Sequence, residues 1–196
     1  MKKLVLASSN PGKLAEFAQL FAPLDIELLS QSAFAVPEAE EPHPTFVENA
    51  LAKARHAARL TGLPALADDS GLVVAALGGA PGVHSARYAG EPKSDVRNNE
   101  KLLAALAHSA DRRAHYVAVL VLLRSAEDPQ PLIATGAWHG AIALAPQGSG
   151  GFGYDPIFLV PELGKTAAEL SAEEKNRRSH RGQALRQLVE QLQCGA

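Results

Sequence analysis

At 196 residues the chain is long enough to bury a sizeable core and is read as one domain, residues 1–196. Hydrophobic residues make up 46% and charged residues 20%, which excludes disordered and fibrous architectures. Lys and Arg number 19 against 21 for Asp and Glu, a net charge of -2 that gives no general pull toward nucleic acid or an anionic membrane, so any anion must be captured locally.

The first expected strand is Lys3 to Ala7, and its apolar run, Leu4 to Ala7, is too short for the core of a signal peptide. Leu14, Phe17, Ala18 and Phe21 then recur at helical spacing. Asn10 suits the cap of that helix and Pro11 its first position, so the preceding loop ends on unpaired N–H groups. Thr45-Phe46-Val47-Glu48 is a capping box opening a helix to about Leu60, stopped at Gly62. Strand pieces flank the acids of ALADDSGLVV, Ala65 to Val74. Ser94 caps a helix through Ala107. His115 to Arg124 and Leu132 to Ala143 then read as an antiparallel pair joined by Glu127-Asp128-Pro129. The longest apolar run, Tyr116 to Leu123, is far too short to span a bilayer. A Gly-rich loop, Gln147 to Pro156, precedes a short strand at Ile157 to Val160. A closing helix carries an apolar face of Leu185, Leu188 and Leu192, with Ser179 a candidate cap. The pattern is α/β with a mixed sheet and no internal repeat. The lone Cys194 rules out intrachain disulfides and thiolate chelation, which fits a reducing, cytoplasmic setting.

Several groups could carry chemistry. Ser8-Ser9-Asn10-Pro11-Gly12-Lys13 lacks Walker A spacing, yet hydroxyls, an amide, helix N–H groups and an ammonium converge there as a polyphosphate tail requires; a plain capped turn explains the same residues. Asn49, Lys53 and His56 form a polar stripe beside an apolar helix face, while Arg55 and Arg59 read as solvated surface. Glu38, Glu40 and Glu41 in the Pro-rich PEAEEPHP read alone as a solvated loop. With Asp68 and Asp69 they supply hard oxygen ligands for Mg²⁺. Strand side chains alternate, so only one of Asp68 and Asp69 faces a given site and the other needs a partner; an Asx turn at Asp69-Ser70-Gly71 competes with a metal or general-base role. Phe152 and Tyr154 among glycines suit a flat base, or a hairpin with core aromatics. Lys175, His180 and Arg181 place cations around the start of the last helix, against its dipole, as a ligand site or a solvated cluster.

Six motifs in order then resemble those of the inosine/xanthosine triphosphate pyrophosphatases over nearly the whole chain. They are Ser8 to Lys13; TFVENA with KAR, Thr45 to Arg55; ADDSGL, Ala67 to Leu72; GGAPGVHSARYAG, Gly78 to Gly90; GGFGYDPIF, Gly150 to Phe158; and EKNRRSHRGQAL, Glu174 to Leu185. The resemblance implies an elongated mixed β-sheet flanked by helices, with two lobes around a central nucleotide-binding cleft, usually homodimeric. It implies hydrolysis of non-standard purine triphosphates (dITP, ITP, XTP, dXTP) between the α and β phosphates with Mg²⁺. By similarity, Ser8, Ser9, Asn10, Pro11, Gly12, Lys13 and Lys53 hold the triphosphate. Glu40 and Asp69 serve the metal, Asp69 is the proton acceptor, and Ser70 contacts substrate. Phe152, Gly153, Tyr154, Asp155, Lys175, His180 and Arg181 surround the nucleoside. Ser9 stands where many relatives have Gly, and His84 where Tyr is frequent.

Hypoxanthine and xanthine present an acceptor at O6 where adenine presents a donor, so donor-only Arg181, with a donating His180, is expected to reject adenine. A pyrophosphatase for modified pyrimidine triphosphates and a non-catalytic nucleotide sensor are the competing readings. No nucleic-acid or membrane partner is expected.

Overall fold

The computed structural model describes residues 2–24 and 26–194. β1 (Lys3–Leu6) is buried but for Lys3, and α1 (Pro11–Phe21) starts where Asn10 Oδ1 accepts the Lys13 N–H at 3.0 Å. β2 (Glu27–Ser30) pairs in parallel with β1; its ELLS sequence carries too little alternation to announce a strand. α2 (Phe46–Thr61) starts as expected at Thr45, whose Oγ1 accepts the Glu48 N–H, and ends at Gly62 in the left-handed region. β3 (Ala65–Val74), α3 (Asp95–Ala105), β4 (Arg113–Leu123), β5 (Leu132–Ile142), β6 (Phe158–Val160) and β7 (Lys165–Thr166) follow.

The seven strands hydrogen-bond in the order β2-β1-β3-β4-β5-β6-β7. β1 pairs in parallel with β2 and β3, and β6 is antiparallel to both β5 and β7, so the sheet is mixed as expected. One of the open alternatives, the turn beside the acids, falls away. β3 is one uninterrupted strand, with no turn at Asp69-Ser70-Gly71, because it hydrogen-bonds between β1 and β4 and its acids find cationic partners there. A separate short helix, α4 (Ala172–Arg178), precedes the last helix, α5 (His180–Cys194), which begins directly after Ser179, the candidate cap; Ser179 itself is in extended conformation. The Ser179 N–H closes α4 on Lys175 O at 2.7 Å. Lys175 therefore lies in the last turn of α4, where the dipole favours a cation, while His180 and Arg181 do open α5.

The chain forms two compact units. The first comprises Met1–Asp69, Ala118–Gly136 and Arg181–Ala196; the second comprises Ser70–Val117 and Ala137–His180. Inside the first, Leu4 and Leu6 of β1, Phe17 and Phe21 of α1, Leu120 and Leu122 of β4 and Leu185 and Leu188 of α5 form the core. Inside the second, Leu72, Leu102, Tyr116, Trp138, Ile142 and Phe158 do so, with the Tyr116, Trp138 and Phe158 rings in mutual contact. Among the described residues no helix is long and apolar enough to cross a membrane.

Candidate active site

The first unit gathers the acids of β3. Asp68 and Asp69 are 1% and 5% exposed, and alternation along the strand sends them to different partners. Asp68 Oδ2 lies 2.7 Å from Lys13 Nζ of α1 and 3.3 Å from Arg181 Nε of α5; Arg181 also reaches Glu16 at 2.8 Å through Nη1. Burial pushes the Asp68 pKa up, but Lys13 and Arg181 together hold it well below the usual carboxylate range. Asp69 accepts from Lys53 Nζ at 2.7 Å, and the same ammonium reaches Glu41 at 2.9 Å. Burial raises the Asp69 pKa despite Lys53, with Glu41 adding to the rise. Burial also works against the Lys53 charge, yet Asp69 and Glu41 keep its pKa above the ordinary value.

The polar stripe of α2 has a definite task. His56 Nε2 donates to Pro37 O at 3.0 Å, Lys53 takes Glu41, and Asn49 pairs with both main-chain polar groups of His43, at 3.0 and 3.1 Å. Three side chains one helical face apart thus pin the acidic loop at its start, middle and end. At the start of α1, the Ser8 hydroxyl accepts the Asn10 N–H at 3.2 Å and the Ser9 hydroxyl donates to Glu38.

In the second unit the organiser is Asp155, 3% exposed. Its Oδ2 accepts from Lys175 Nζ at 2.7 Å and from the Phe152 N–H at 2.9 Å, while Oδ1 accepts from Tyr116 OH at 3.3 Å. His180 stacks on Tyr116 with ring centroids 4.7 Å apart and planes at 9°. Lys175 Nζ also stands 5.0 Å from the Phe152 ring centroid. Of the loop's two aromatics, only Phe152 is half-exposed; Tyr154 is buried, with its hydroxyl donating to Ser85 O at 2.8 Å. Gly153 and the half-buried Ser70 belong to the same unit.

A profile of the Ham1 family matches residues 4–191. The chain belongs to the Ham1 family. It is 67% identical over 190 residues to a dITP/XTP pyrophosphatase of Aromatoleum aromaticum, covering 97% of this chain and 96% of that protein. It is equally 67% identical over 195 residues to a dITP/XTP pyrophosphatase of Ralstonia nicotianae, with 98% and 97% covered. A solved structure of a Ham1 protein from Coxiella burnetii superposes with a TM-score of 0.91 at 54% identity, covering 98% of this chain and 99% of that one.

Against the expected site of a Ham1-family chain, the first unit brings together Lys13, Lys53, Asp68 and Asp69 with Arg181, and the second brings together Phe152, Asp155, Lys175 and His180. Glu41, not Glu40, is the acid on Lys53; Glu40 is exposed on the same loop and makes no ion pair among the described residues. The donor set fits a hard divalent cation: a rigid strand carboxylate and a pinned loop bearing further carboxylates. Among the described residues no group of three or more His, Cys, Asp or Glu could hold a metal. A hard divalent cation can take only one or two carboxylates and fill its other positions with water and phosphate. Sequence reasoning missed Tyr116, a partner of Asp155, and Glu16, the second acid on Arg181. Tyr116 carried one signal, a hydroxyl inside an otherwise apolar strand that must find a partner when buried.

Proposed function

We propose that residues 1–196 act as one catalytic domain that hydrolyses dITP, ITP, XTP and dXTP to the monophosphate and pyrophosphate. The observation that carries this reading is the buried Asp69 carboxylate, fixed on a strand 2.7 Å from the Lys53 ammonium. A chain 67% identical to proteins named dITP/XTP pyrophosphatases gives that geometry its context.

Ser8, Ser9, Asn10, Pro11, Gly12, Lys13 and Lys53 take the triphosphate. The N–H groups at the start of α1 and the two ammoniums are donors for its oxygens. Asp69 accepts the proton of the attacking water, its basicity raised by burial. Glu40 and Asp69 hold Mg²⁺, with Glu41 engaged by Lys53; the ion, when bound, neutralises charge developing on the phosphates. Ser70, Phe152, Gly153, Tyr154, Asp155, Lys175, His180 and Arg181 serve the nucleoside. Phe152 offers the ring face, Asp155 orders the loop, and Tyr154 works from the core. The enzyme acts as a homodimer in the cytoplasm.

A panel of ribo and deoxy triphosphates, assayed with pyrophosphate separated from phosphate, tests this. Inosine and xanthosine triphosphates should release pyrophosphate far faster than ATP or GTP; equal turnover of ATP removes the specificity claim. Binding without turnover in Mg²⁺ would make the chain a sensor.

A further inference from the structure

We propose that α3 sets the position of the nucleoside loop, with Asp95 and Asn99 as positioning residues; this rests on the reading of Phe152 to Asp155 as nucleoside-binding. The two residues stand one helical turn apart on α3, and both grip Gly153. The Gly153 N–H donates to Asp95 Oδ2 at 2.7 Å, and the Gly153 carbonyl accepts from Asn99 Nδ2 at 3.1 Å. The first bond fixes the peptide plane that follows Phe152, the second the plane that precedes Tyr154.

Gly153 has φ +64 and nothing within 4 Å of where a Cβ would stand, so glycine is required there by conformation and not by crowding. Left to itself such a peptide would sample many orientations. Phe152 would then be held at its own N–H by Asp155 but be free to swing at the following peptide. The α3 contacts close that second end, leaving the Phe152 ring at a set place beneath the Lys175 ammonium. A ring that must meet a flat base loses its value when it swings.

The helix is itself anchored. Leu102 is fully buried, and Asn98 donates to Ser85 O and Ala86 O while accepting the Ala89 N–H. Asn99 is 8% exposed, and its Oδ1 has no hydrogen-bond partner among the described residues. A buried acceptor without a partner is unfavourable, and an apolar residue would avoid it. The amide cannot turn over, because the Gly153 carbonyl takes only a donor. Asparagine at this position therefore makes sense for its bond to the loop, not for packing.

The test compares Asp95→Ala, Asp95→Asn and Asn99→Leu with Phe152→Ala, measuring kcat and KM for inosine triphosphate and the melting temperature of each variant. Asp95→Ala and Asn99→Leu should each raise KM roughly tenfold with kcat within about twofold of the parent, the scale of one lost charged or buried hydrogen bond. Asp95→Asn keeps an acceptor and should restore KM. Asp95 is exposed, so its alanine variant should melt with the parent and remain informative even if Asn99→Leu loses stability. If Phe152→Ala raises KM while the Asp95→Ala and Asn99→Leu values stay at the parent's, the positioning role is overturned and the loop reading stands. If Phe152→Ala leaves KM unchanged, the loop reading fails and the inference fails with it.

Discussion

Asp68→Asn keeps the shape of the side chain and removes a charge that two cations share. In the parent, Lys13 stands 2.7 Å and Arg181 3.3 Å from Asp68 Oδ2, and the Asp68 carboxylate is wholly shielded from solvent. Arg181 retains Glu16 in the variant, so the stranded charge is chiefly that of Lys13, whose side chain is 17% exposed. Removing one partner of a buried pair costs about 3–5 kcal/mol, and for a chain of this size each kcal/mol lowers the melting temperature by about 2–4 °C, giving a loss of roughly 6–20 °C at neutral pH. The neighbouring Asp69→Asn is the internal control. Burial already disfavours the Asp69 charge, so its removal should leave the melting temperature within about 4 °C of the parent. The signs also differ with pH. A depressed pKa means that the contribution of Asp68 is present above the unfolded carboxylate value of about 4 and is lost only as pH falls through the lower folded value. The Asp68→Asn deficit should therefore be constant across the neutral range. Calorimetric melting of both variants checks this, and equal losses in the two would refute the division of roles.

Two further outcomes are expected. His115 and His139 stack across β4 and β5 with centroids 5.2 Å apart, and burial, then the His139 charge, lower the His115 pKa. The unfolded chain therefore binds that proton more readily, so stability falls as pH drops through about 6.5. His139→Ala should raise the His115 pKa in an imidazole NMR titration, and an unchanged or lower value would contradict the coupling. A Cβ on Gly151 would stand 2.1 Å from Asp155 Oδ2 at φ +72, whereas Gly164, at φ +62, has open space. Gly151→Ala should cost about 1–3 kcal/mol more than Gly164→Ala and raise KM for inosine triphosphate, because three donors already fix the Asp155 carboxylate. Equal melting temperatures for the two variants would show that Asp155 yields.

The elements with strong local chemistry were legible in the sequence. Asn10 with Pro11, the Thr45 capping box and Gly62 bound α1 and α2 because each supplies partners for helix-end groups that nothing else could satisfy. β2 was not legible, since its four residues carry no alternation and it forms by pairing with β1. Ser179 was legible as the residue before the last helix, and α5 does begin at His180; the short helix α4 ahead of it carried no apolar periodicity to announce it. Chemistry was legible as residue types but not as pairings. PEAEEPHP offered three acids, and only the register of α2 selects Glu41 for Lys53. The glycines of the loop signalled close approach, yet not to what: Gly150 meets the Ala168 carbonyl and Gly151 the Asp155 carboxylate. Asp95 and Asn99 left no signal at all, because a carboxylate and an amide on an exposed-looking helix read as solvated surface.

The adjacency of Asp68 and Asp69 follows from strand geometry. A period of two places neighbouring side chains on opposite faces, so one strand delivers two identical carboxylates into different surroundings at a fixed separation. On one face two cations overcome burial and hold Asp68 ionised, which makes it an anchor for Lys13 and Arg181 and too weak a base to take a proton. On the other, burial, helped by Glu41, outweighs Lys53 and the more weakly acting Lys13, and Asp69 is made more basic. Pairs of like groups whose environments drive their pKa values apart divide acid–base work in this way. A turn at the same place would have left both acids on mobile backbone and open to water, with nothing to separate them. The unbroken strand is therefore part of the proposed chemistry: it holds Asp69 where burial raises its basicity, as the proposed proton transfer from water needs, and holds Asp68 ionised between its cations.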